Sequence, residues 1–463
     1  MSARAIVIGA GANELVAAHL LALAGHQVLV IEARRGAGAG PGWVPPGIAR
    51  ALGLERSGLT VEHPDPWIAA PLPAGGRLEL WRDMARSVEA IRRLSPKDAA
   101  AWPEFCARMA PLARWLGELY CAAPPQPLSL GFALRARRLG RQGIEDLLRL
   151  APMPVADLLD DWFESDTLKG LLGAAGVMHL HQGPRAGGTA FVFLHHHVGS
   201  PEGVFRPPRA NLAQVLADQP GIELRRDAQV AQIAVRDGRV RGVVLAGGEE
   251  IGASLVLSGA DPRRTLLALV EPVWLDPDFA RALRHVRCRG VAARVELAVD
   301  RAPGFETLCI APSLDYLERA HDDAKYGGVS REPFLEARSE GSRVEVHVQY
   351  APHAAAAGGL GELVRQSLAP HVNGAAVKVE RVLVPRDLEA AEGWPEGQPY
   401  HLELALDQAV WMRPLPGWAR YRTPITGLYL CGPGTHPGGG ISGAAGANAA
   451  RAVLNDLGRR RAA

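Results

Sequence analysis

The sequence predicts an α/β fold that combines a parallel β-sheet with a second domain of mixed α and β structure. Two observations predict it. Between residues 5 and 32 an apolar strand pattern, a helix and a second apolar strand follow one another, as a parallel β-α-β unit requires. Between residues 289 and 350 apolar and polar side chains alternate, as in an antiparallel sheet with one exposed face. With 463 residues the chain is long enough for more than one packed region.

The β-α-β unit carries a nucleotide-binding pattern. Its first strand, helix and second strand are predicted at residues 5–9, 13–24 and 27–32. Gly9 and Gly11 lie between strand and helix, where backbone amides at a helix N-terminus can face a pyrophosphate. Glu32 ends the second strand, at the position that suits a ribose hydroxyl. The unit predicts a Rossmann-type FAD/NAD(P)-binding domain, against the alternative of an ordinary β-α-β unit with a tight turn.

The third glycine of the dinucleotide fingerprint is replaced by Glu14. A side chain at this position projects where close helix–strand packing or a dinucleotide leaves no room. Its charge would also repel a pyrophosphate, because two like charges at about 4 Å cost about 1 kcal/mol even in water. Glu14 therefore argues against ordinary FAD binding. The alternative is that the side chain swings outward.

Changes of pattern divide the rest of the chain. From Ser95 to Glu164 apolar residues recur every three or four positions, as in amphipathic helices. A hairpin is predicted at residues 230–245, and the last segment combines a short buried strand, a glycine-rich loop and a helix at residues 447–457. The predicted domains are a dinucleotide-binding domain in three parts (residues 1–70, 201–285 and 421–463), a helical cap or substrate region (71–200) and a substrate domain (286–420).

The C-terminal loop resembles a known flavin-binding signature. Residues 427–443, GLYLCGPGTHPGGGISG, are similar to the C-terminal signature of phytoene desaturases and their relatives. Residues 313–320 (SLDYLERA), 323–327 (DAKYG) and 349–352 (QYAP) are similar to a narrower subgroup, that of pyridine nucleotide-disulphide oxidoreductase domain-containing protein 2. Because further matches lie between these motifs and the N-terminal unit, the resemblance covers nearly the whole chain.

This resemblance implies an amine-oxidase/phytoene-desaturase-like fold, with a Rossmann-type domain, a mixed α+β substrate domain and a helical cap. It implies FAD between the β-α-β unit and the C-terminal loop, and a hydrophobic small molecule that gives hydride to the flavin N5 in a desaturation, dehydrogenation or flavin-assisted isomerisation. His436 in the loop is the candidate acid or base, or it braces the loop by hydrogen bonds. The implied cofactor-binding residues are Gly9, Gly11, Glu32, Arg34, Val230, Gly432, Gly439, Gly440 and Ile441.

Besides Glu14, three stretches depart from the family pattern. The family's arginine and double glycine after the acidic strand are replaced by residues 34–42 (RRGAGAGPG). The loop near the flavin is shortened, because Gly42 leads within a few residues into the helix-like residues 48–54. Residues 206–211 (RPPRAN) replace a glycine-rich turn, and their two cations bind an anionic substrate or are simply solvated. These departures leave a second hypothesis, a degenerate relative that has lost FAD and acts as a non-redox subunit or binding protein.

Histidines cluster at His179, His181 and residues 195–197. Imidazoles are common metal ligands. However, we expect residues 195–197 on a strand, which separates His196 from its two neighbours, and no carboxylate stands at a convincing ligand spacing. The favoured interpretation is packing or hydrogen bonding, and no metal site is predicted.

The composition of the chain limits the kinds of partner and the cellular location that we expect. The 51 basic and 49 acidic side chains nearly cancel, which predicts no nucleic-acid partner. Five scattered cysteines without CxxC spacing predict neither disulfides nor zinc and fit a reducing cytoplasm. We see no signal-peptide pattern before Ala5, and the apolar stretch from Leu15 to Ala24 is shorter than the roughly 20 residues of a membrane span. We expect a cytoplasmic protein and leave peripheral membrane contact and homo- or hetero-oligomers open.

Overall fold

The computed structural model describes residues 4–34, 42–126 and 129–462. The strands are β1 Arg4–Ile8, β2 Gln27–Ile31, β3 Val61–Glu62, β4 Ile68–Pro71, β5 Arg77–Leu80, β6 Arg209–Ala210, β7 Glu223–Arg225, β8 Val230–Arg236, β9 Arg239–Leu245, β10 Glu250–Gly252, β11 Leu255–Ser258, β12 Ala292–Val299, β13 Thr307–Ile310, β14 Leu335–Glu340, β15 Arg343–Gln349, β16 Val377–Leu383 and β17 Leu428–Leu430. The helices are α1 Ala12–Leu23, α2 Pro46–Ala51, α3 Met84–Arg92, α4 Pro96–Tyr120, α5 Leu130–Arg137, α6 Gly140–Leu150, α7 Val155–Trp162, α8 Asp166–Val177, α9 Thr189–His197, α10 Leu212–Asp218, α11 Pro277–Arg284, α12 Leu314–Lys325, α13 Leu360–Leu368, α14 Pro385–Glu392 and α15 Ala444–Ala462.

A parallel sheet with the order β17-β11-β1-β2-β7 forms the dinucleotide-binding domain. Its central strand β1 pairs with β2 on one side and with β11 on the other. Because the strand order reverses between β1 and β11, their carboxyl ends form the crevice in which open α/β sheets bind ligands. Helices α1 and α15 cover one face, and a Cβ on Gly446 would lie only 1.7 Å from the Asn13 carbonyl oxygen. Glycine at this position therefore permits the close approach of the two helices.

The second sheet has seven strands in the order β16-β12-β15-β14-β13-β4-β5, mostly antiparallel. Alternate residues on one face, including Val295, Ala337 and Val346, are buried in a core shared with α13. The alternation predicted for residues 289–350 is present in these strands. The predicted domain boundary at residue 70 falls inside β4, because β4 and β5 belong to this sheet. The substrate domain thus includes two strands from the N-terminal part of the chain.

Helices α4 to α9 form the cap, and their aromatic side chains pack in one core. The strand predicted at residues 195–197 is wrong, since His195, His196 and His197 end helix α9. All nine residues of α9 are buried. A helix buried on every side shows no amphipathic period, so periodicity could not separate it from a buried strand. A search of the helices in the described part of the chain finds none long and apolar enough to cross a membrane.

Candidate functional site

A cavity of about 800 Å³ lies between the parallel sheet and the seven-stranded sheet. Small-molecule sites typically have about 300–1,000 Å³. The lining includes residues 9–14 after β1, the end of β2 and the loop of residues 438–442. It also includes side chains of the cap and of the seven-stranded sheet. The cavity therefore joins the nucleotide-binding motif to the substrate domain.

Glu32, at the end of β2, is 5% exposed and lines this cavity. Its carboxylate accepts hydrogen bonds from the Ala10 amide at 2.8 Å and from the Arg34 amide at 2.9 Å. The Arg34 Nε donates a third bond at 3.1 Å, and its Nη1 reaches Glu392 at 2.6 Å. A carboxylate has about four acceptor positions, so Glu32 keeps capacity for one more donor such as a ribose hydroxyl. The residue is held in place and still able to bind.

The Glu14 side chain fills the crevice between the ends of β1 and β11. A Cβ on Gly11 would lie 2.5 Å from Glu14 Oε2, and a Cβ on Gly259, which follows β11, would lie 2.2 Å from Oε1. The side chain is 5% exposed, so it does not swing outward. Burial, aided by the nearby Glu32 carboxylate, raises the pKa of Glu14 to about 8, against the lowering effect of its own and the Gly11 amide. At neutral pH the group is mainly an uncharged acid, and its volume is the obstacle to a pyrophosphate.

The glycine-rich loop supplies the opposite wall. A Cβ on Gly439 would lie 1.8 Å from Tyr400 Cδ1, so only a glycine lets the ring pack against the backbone. The Trp43 amide donates to the Gly440 carbonyl at 2.9 Å, and the Ser442 amide donates to the Trp43 carbonyl at 2.8 Å. The segment after Gly42 is thus paired with the loop. The altered residues 35–41 lie outside the described part of the chain.

Arg413 holds the glycine-rich loop against neighbouring segments by hydrogen bonds to backbone carbonyls. Its buried guanidinium donates to the carbonyls of Tyr400 at 2.7 Å, Pro433 at 2.8 Å and Glu403 at 3.0 Å. Burial lowers its pKa to about 9. No role for Arg413 was predicted from the sequence, because a structural arginine in a loop has no periodic signature.

Eight of the nine predicted cofactor residues line the cavity: Gly9, Gly11, Glu32, Arg34, Val230, Gly439, Gly440 and Ile441. Gly432 is not among the lining residues. A Cβ there would lie 2.2 Å from the Gly259 carbonyl oxygen, so this glycine allows β17 and β11 to approach at their ends.

The structure places His436 away from the cavity lining. The side chain is fully buried, and its Nε2 lies 3.4 Å from the Leu119 carbonyl oxygen. The His436 carbonyl accepts a 2.9 Å bond from the Tyr421 hydroxyl. Burial lowers the pKa of His436 to about 4. These contacts favour the interpretation that His436 braces the loop by hydrogen bonds, and they do not support a role as acid or base.

The histidines of α9 bond to the protein itself. His195 Nδ1 lies 2.8 Å from the Tyr120 hydroxyl, and its Nε2 lies 2.8 Å from the Gly439 carbonyl. His196 joins the Ala175 carbonyl at 2.7 Å to the Tyr400 hydroxyl at 3.2 Å. The cluster therefore connects the cap to the wall of the cavity.

The part of the cavity formed by the cap and the seven-stranded sheet has two unlike walls. One is apolar and comes mainly from α8 and the loops beside it, with Trp67, Ile68, Leu171, Leu172, Met178 and Phe205. The other is charged and comes from the face of β14 and β15 opposite their core, together with the loop before β6: Arg206, Arg209, Glu336, Arg338, Glu345 and His347. Sequence reasoning assigned the polar face of these strands to solvent. The alternation of apolar and polar residues in these strands was visible in the sequence. Whether the polar face meets solvent or a cavity depends on contacts with the cap, which the alternation does not show.

The residues present fit FAD at both ends of the molecule. Glu32 has a free acceptor position, the N-terminus of α1 lines the cavity, and Gly439 and Gly440 line its opposite wall. In the described part of the chain, the Glu14 side chain takes up space in this path, beside Gly11 and Gly259. Because its carboxyl is held largely neutral, it can donate a hydrogen bond to a phosphate oxygen as well as block it.

Residues 7–68 match the family model of the NAD(P)-binding Rossmann-like domain. The chain is 32% identical to pyridine nucleotide-disulfide oxidoreductase domain-containing protein 2 of Rattus norvegicus, over 98% of this chain and 93% of the relative. It is 27% identical to hydroxyneurosporene desaturase of Cereibacter sphaeroides, over 99% and 98%.

Among solved structures, a triple mutant of putrescine oxidase aligns with a TM-score of 0.60 and 16% identity, over 99% of both chains. This likeness concerns the fold alone and confirms the predicted amine-oxidase/phytoene-desaturase-like class. The predicted resemblance is confirmed as well, since the sequence similarity to the rat relative extends over nearly the whole of both proteins. The chain belongs to the pyridine nucleotide-disulfide oxidoreductase domain-containing protein 2 family of oxidoreductases, within the wider phytoene-desaturase-like group.

Proposed function

We propose that the protein is an FAD-dependent oxidoreductase that desaturates, dehydrogenates or isomerises a hydrophobic small molecule. The observation that carries this proposal is the single cavity that joins Glu32 and the α1 N-terminus to the Gly439 loop and then to an apolar wall. A flavin bound there supplies the hydride chemistry. The sequence similarity to a hydroxyneurosporene desaturase supports the reaction class.

The chain's own residues have separate tasks in this proposal. Glu32 binds the ribose, the amides at the start of α1 face the pyrophosphate, and the loop with Gly439 and Gly440 forms the wall beside the flavin ring. Leu171, Leu172 and Phe205 bind the apolar part of the substrate and exclude water. A dry site lengthens the life of reactive intermediates and strengthens polar contacts.

The proposal is tested by the flavin content of the purified protein. We expect the visible absorption of bound flavin, or its appearance after addition of FAD to colourless protein. Glu32→Ala should weaken FAD binding at least about tenfold, because it removes a charge-assisted hydrogen bond. Glu55→Ala, at an exposed glutamate, is the control. A folded protein that neither contains FAD nor binds added FAD would overturn the proposal.

The second candidate is a relative that has lost FAD and acts as a non-redox subunit or binding protein. The observation that favours it is the Glu14 carboxyl in the crevice between β1 and β11. In that case added FAD leaves the unfolding temperature unchanged, while a hydrophobic ligand still raises it.

A cytoplasmic location and the absence of a nucleic-acid partner remain expectations, with peripheral membrane contact and oligomers open.

A further inference from the structure

The pairing register of β14 and β15 brings the charged side chains of this cavity wall together. Glu336 and Arg338 lie two residues apart on β14, so they share a face, and they stand opposite His347 and Glu345 on β15. All four side chains line the cavity. Leu335, before Glu336, and Ala337, between Glu336 and Arg338, are buried on the opposite face of the sheet. An entirely apolar substrate has nothing to pair with such a wall.

Two of the three arginines at this wall have close ion pairs. Arg206 Nη2 donates to Glu336 at 2.6 Å, and Arg338 Nη2 donates to Glu62 at 2.6 Å. Arg209, on β6, has its Nε 3.8 Å from a Glu62 carboxylate oxygen that Arg338 already occupies. Arg209 is therefore the cation with the weakest pairing at this wall, within the part of the chain that the structure describes.

Arg209 is also partly buried. Burial and then the guanidinium of Arg338 lower its pKa, with a smaller contribution from Arg206, while Glu345 and Glu62 raise it. An arginine stays protonated despite such a shift. The charge is partly desolvated, and an anion beside it would be favourable.

Arg206 offers a second donor to the same place. Its Nη1 is buried and has no hydrogen-bond partner among the described residues. Buried donors of a charged group are costly when left unpaired. An acceptor that enters from the cavity would satisfy it.

The charges indicate what the acceptor is. With Arg206 paired to Glu336 and Arg338 paired to Glu62, Arg209 remains, and the exposed Glu345 carboxylate lies across from Arg338. Three arginines face three carboxylates here, but among the described residues Arg209 has no carboxylate within hydrogen-bond distance and Arg206 keeps an unpaired Nη1. These two guanidinium groups have donors left for an anionic acceptor. A planar carboxylate also suits guanidinium donors.

We propose that the substrate is amphipathic, an apolar chain or ring system that carries a carboxylate bound by Arg209 and Arg206, with its apolar part against Leu171, Leu172 and Phe205. The inference rests on the proposed function, because it names the substrate class of the same cavity. It makes Arg209 a specificity-determining residue.

The test measures binding of four probes with one chain length to the purified full-length protein by calorimetry. The probes are decanoate, 1-decanol, decyl phosphate and decylamine. We expect decanoate to bind at least about tenfold more tightly than 1-decanol, as a charge-assisted hydrogen bond predicts. Arg209→Gln should abolish this preference and Arg209→Lys should keep part of it. Arg239→Gln, at an exposed arginine outside the cavity lining, should leave the preference unchanged.

The FAD content of each variant is measured alongside, and circular dichroism checks its fold. Equal affinity for decanoate and 1-decanol, or a preference that survives in Arg209→Gln, would overturn the inference. Tighter binding of decyl phosphate or decylamine would overturn the assignment to a carboxylate. A protein that holds FAD without preferring decanoate contradicts this inference alone, whereas one that prefers decanoate without binding FAD contradicts the proposed function alone.

Discussion

Glu14 puts a carboxyl group where the dinucleotide fingerprint has a glycine, and burial separates the effect of its charge from the effect of its volume. The side chain lies between Gly9, Gly11 and Gly259 with its pKa raised to about 8. Near neutral pH the charge is largely absent, while the volume is present at every pH. Two substitutions distinguish these effects.

Glu14→Gln should stabilise the protein at alkaline pH and much less under acid conditions. The folded state holds the Glu14 proton more tightly than the unfolded state, so stability falls as pH rises from about 4.5 to about 8 and the loss is complete above that range. This shift corresponds to at most about 5 kcal/mol. Urea unfolding near pH 5.5 and near pH 8.5 measures the difference, with Glu55→Gln as the surface control. A variant effect that is equal at both pH values would contradict the burial of an ionisable Glu14.

Glu14→Gly should increase the affinity for FAD, because it restores the third glycine and empties the crevice. Titration of the apo-protein with FAD, followed by flavin fluorescence, gives the dissociation constant. Glu14→Gln keeps the volume and is the matched control at neutral pH. If both variants bind FAD equally tightly and more tightly than the wild type, the charge of Glu14 and not its volume is the obstacle. If neither differs from the wild type, Glu14 does not obstruct the site.

At the scale of elements, the loop of residues 438–441 is shaped by contacts with distant segments. Tyr400 packs on Gly439, Trp43 pairs with Gly440, and Arg413 joins the Pro433 carbonyl, which precedes the loop, to the Tyr400 carbonyl. None of these partners is close in sequence to the glycines. The loop conformation therefore depends on the docking of the cap and the substrate domain.

Gly439→Ala should destabilise the protein and disturb the cavity wall that the glycine-rich loop forms. The added methyl group would lie 1.8 Å from the Tyr400 ring, and overpacking of this kind costs about 1–3 kcal/mol or more. Thermal unfolding and FAD titration measure the two effects. Gly247→Ala is the control, since nothing lies within 4 Å of its Cβ and neither glycine has a positive φ. An unchanged unfolding temperature in Gly439→Ala would contradict the tight packing of Tyr400.

For the whole molecule, buried neutral histidines make the fold sensitive to acid. Burial lowers the pKa of His195 and His401 to about 3 and that of His197 and His436 to about 4. These residues belong to the cap, the cavity wall and the C-terminal loop. Protonation of any of them is therefore coupled to the packing of several regions.

We expect stability to be highest above pH 6.5 with respect to these histidines and to fall as pH decreases toward about 4. In that window the unfolded state binds more protons than the folded state, so unfolding is favoured. Total stabilities of about 5–15 kcal/mol are small enough for several such groups to cause acid unfolding. Urea midpoints between pH 7.5 and 4.5 measure it. His197→Gln should reduce the drop and the exposed His63→Gln should not, when both are compared in a Glu14→Gln background that removes the opposite pH dependence of Glu14. Equal drops in the two variants would contradict the expectation.

The sequence predicted the features that depend on neighbours along the chain. The β-α-β unit, Gly9, Gly11 and Glu32 were found because strand, turn and helix form within one short segment. The assignment of residues 195–197 to a strand was wrong because a helix buried on all sides has no polar face. His436 and Gly432 were recognised as parts of a loop, but a motif does not show whether a side chain faces a cavity or the protein interior.

By itself the sequence determined the parallel nucleotide-binding unit, the family and the departure at Glu14, because local patterns and spacing carry that information. Only the tertiary structure decided that Glu14 is buried and largely neutral, that Arg413 holds the glycine-rich loop, and that Arg206, Arg209 and Arg338 meet at one cavity wall. Burial and convergence depend on contacts between segments that are not neighbours along the chain. Their proximity follows from sheet register and from the docking of the cap, which no local spacing specifies.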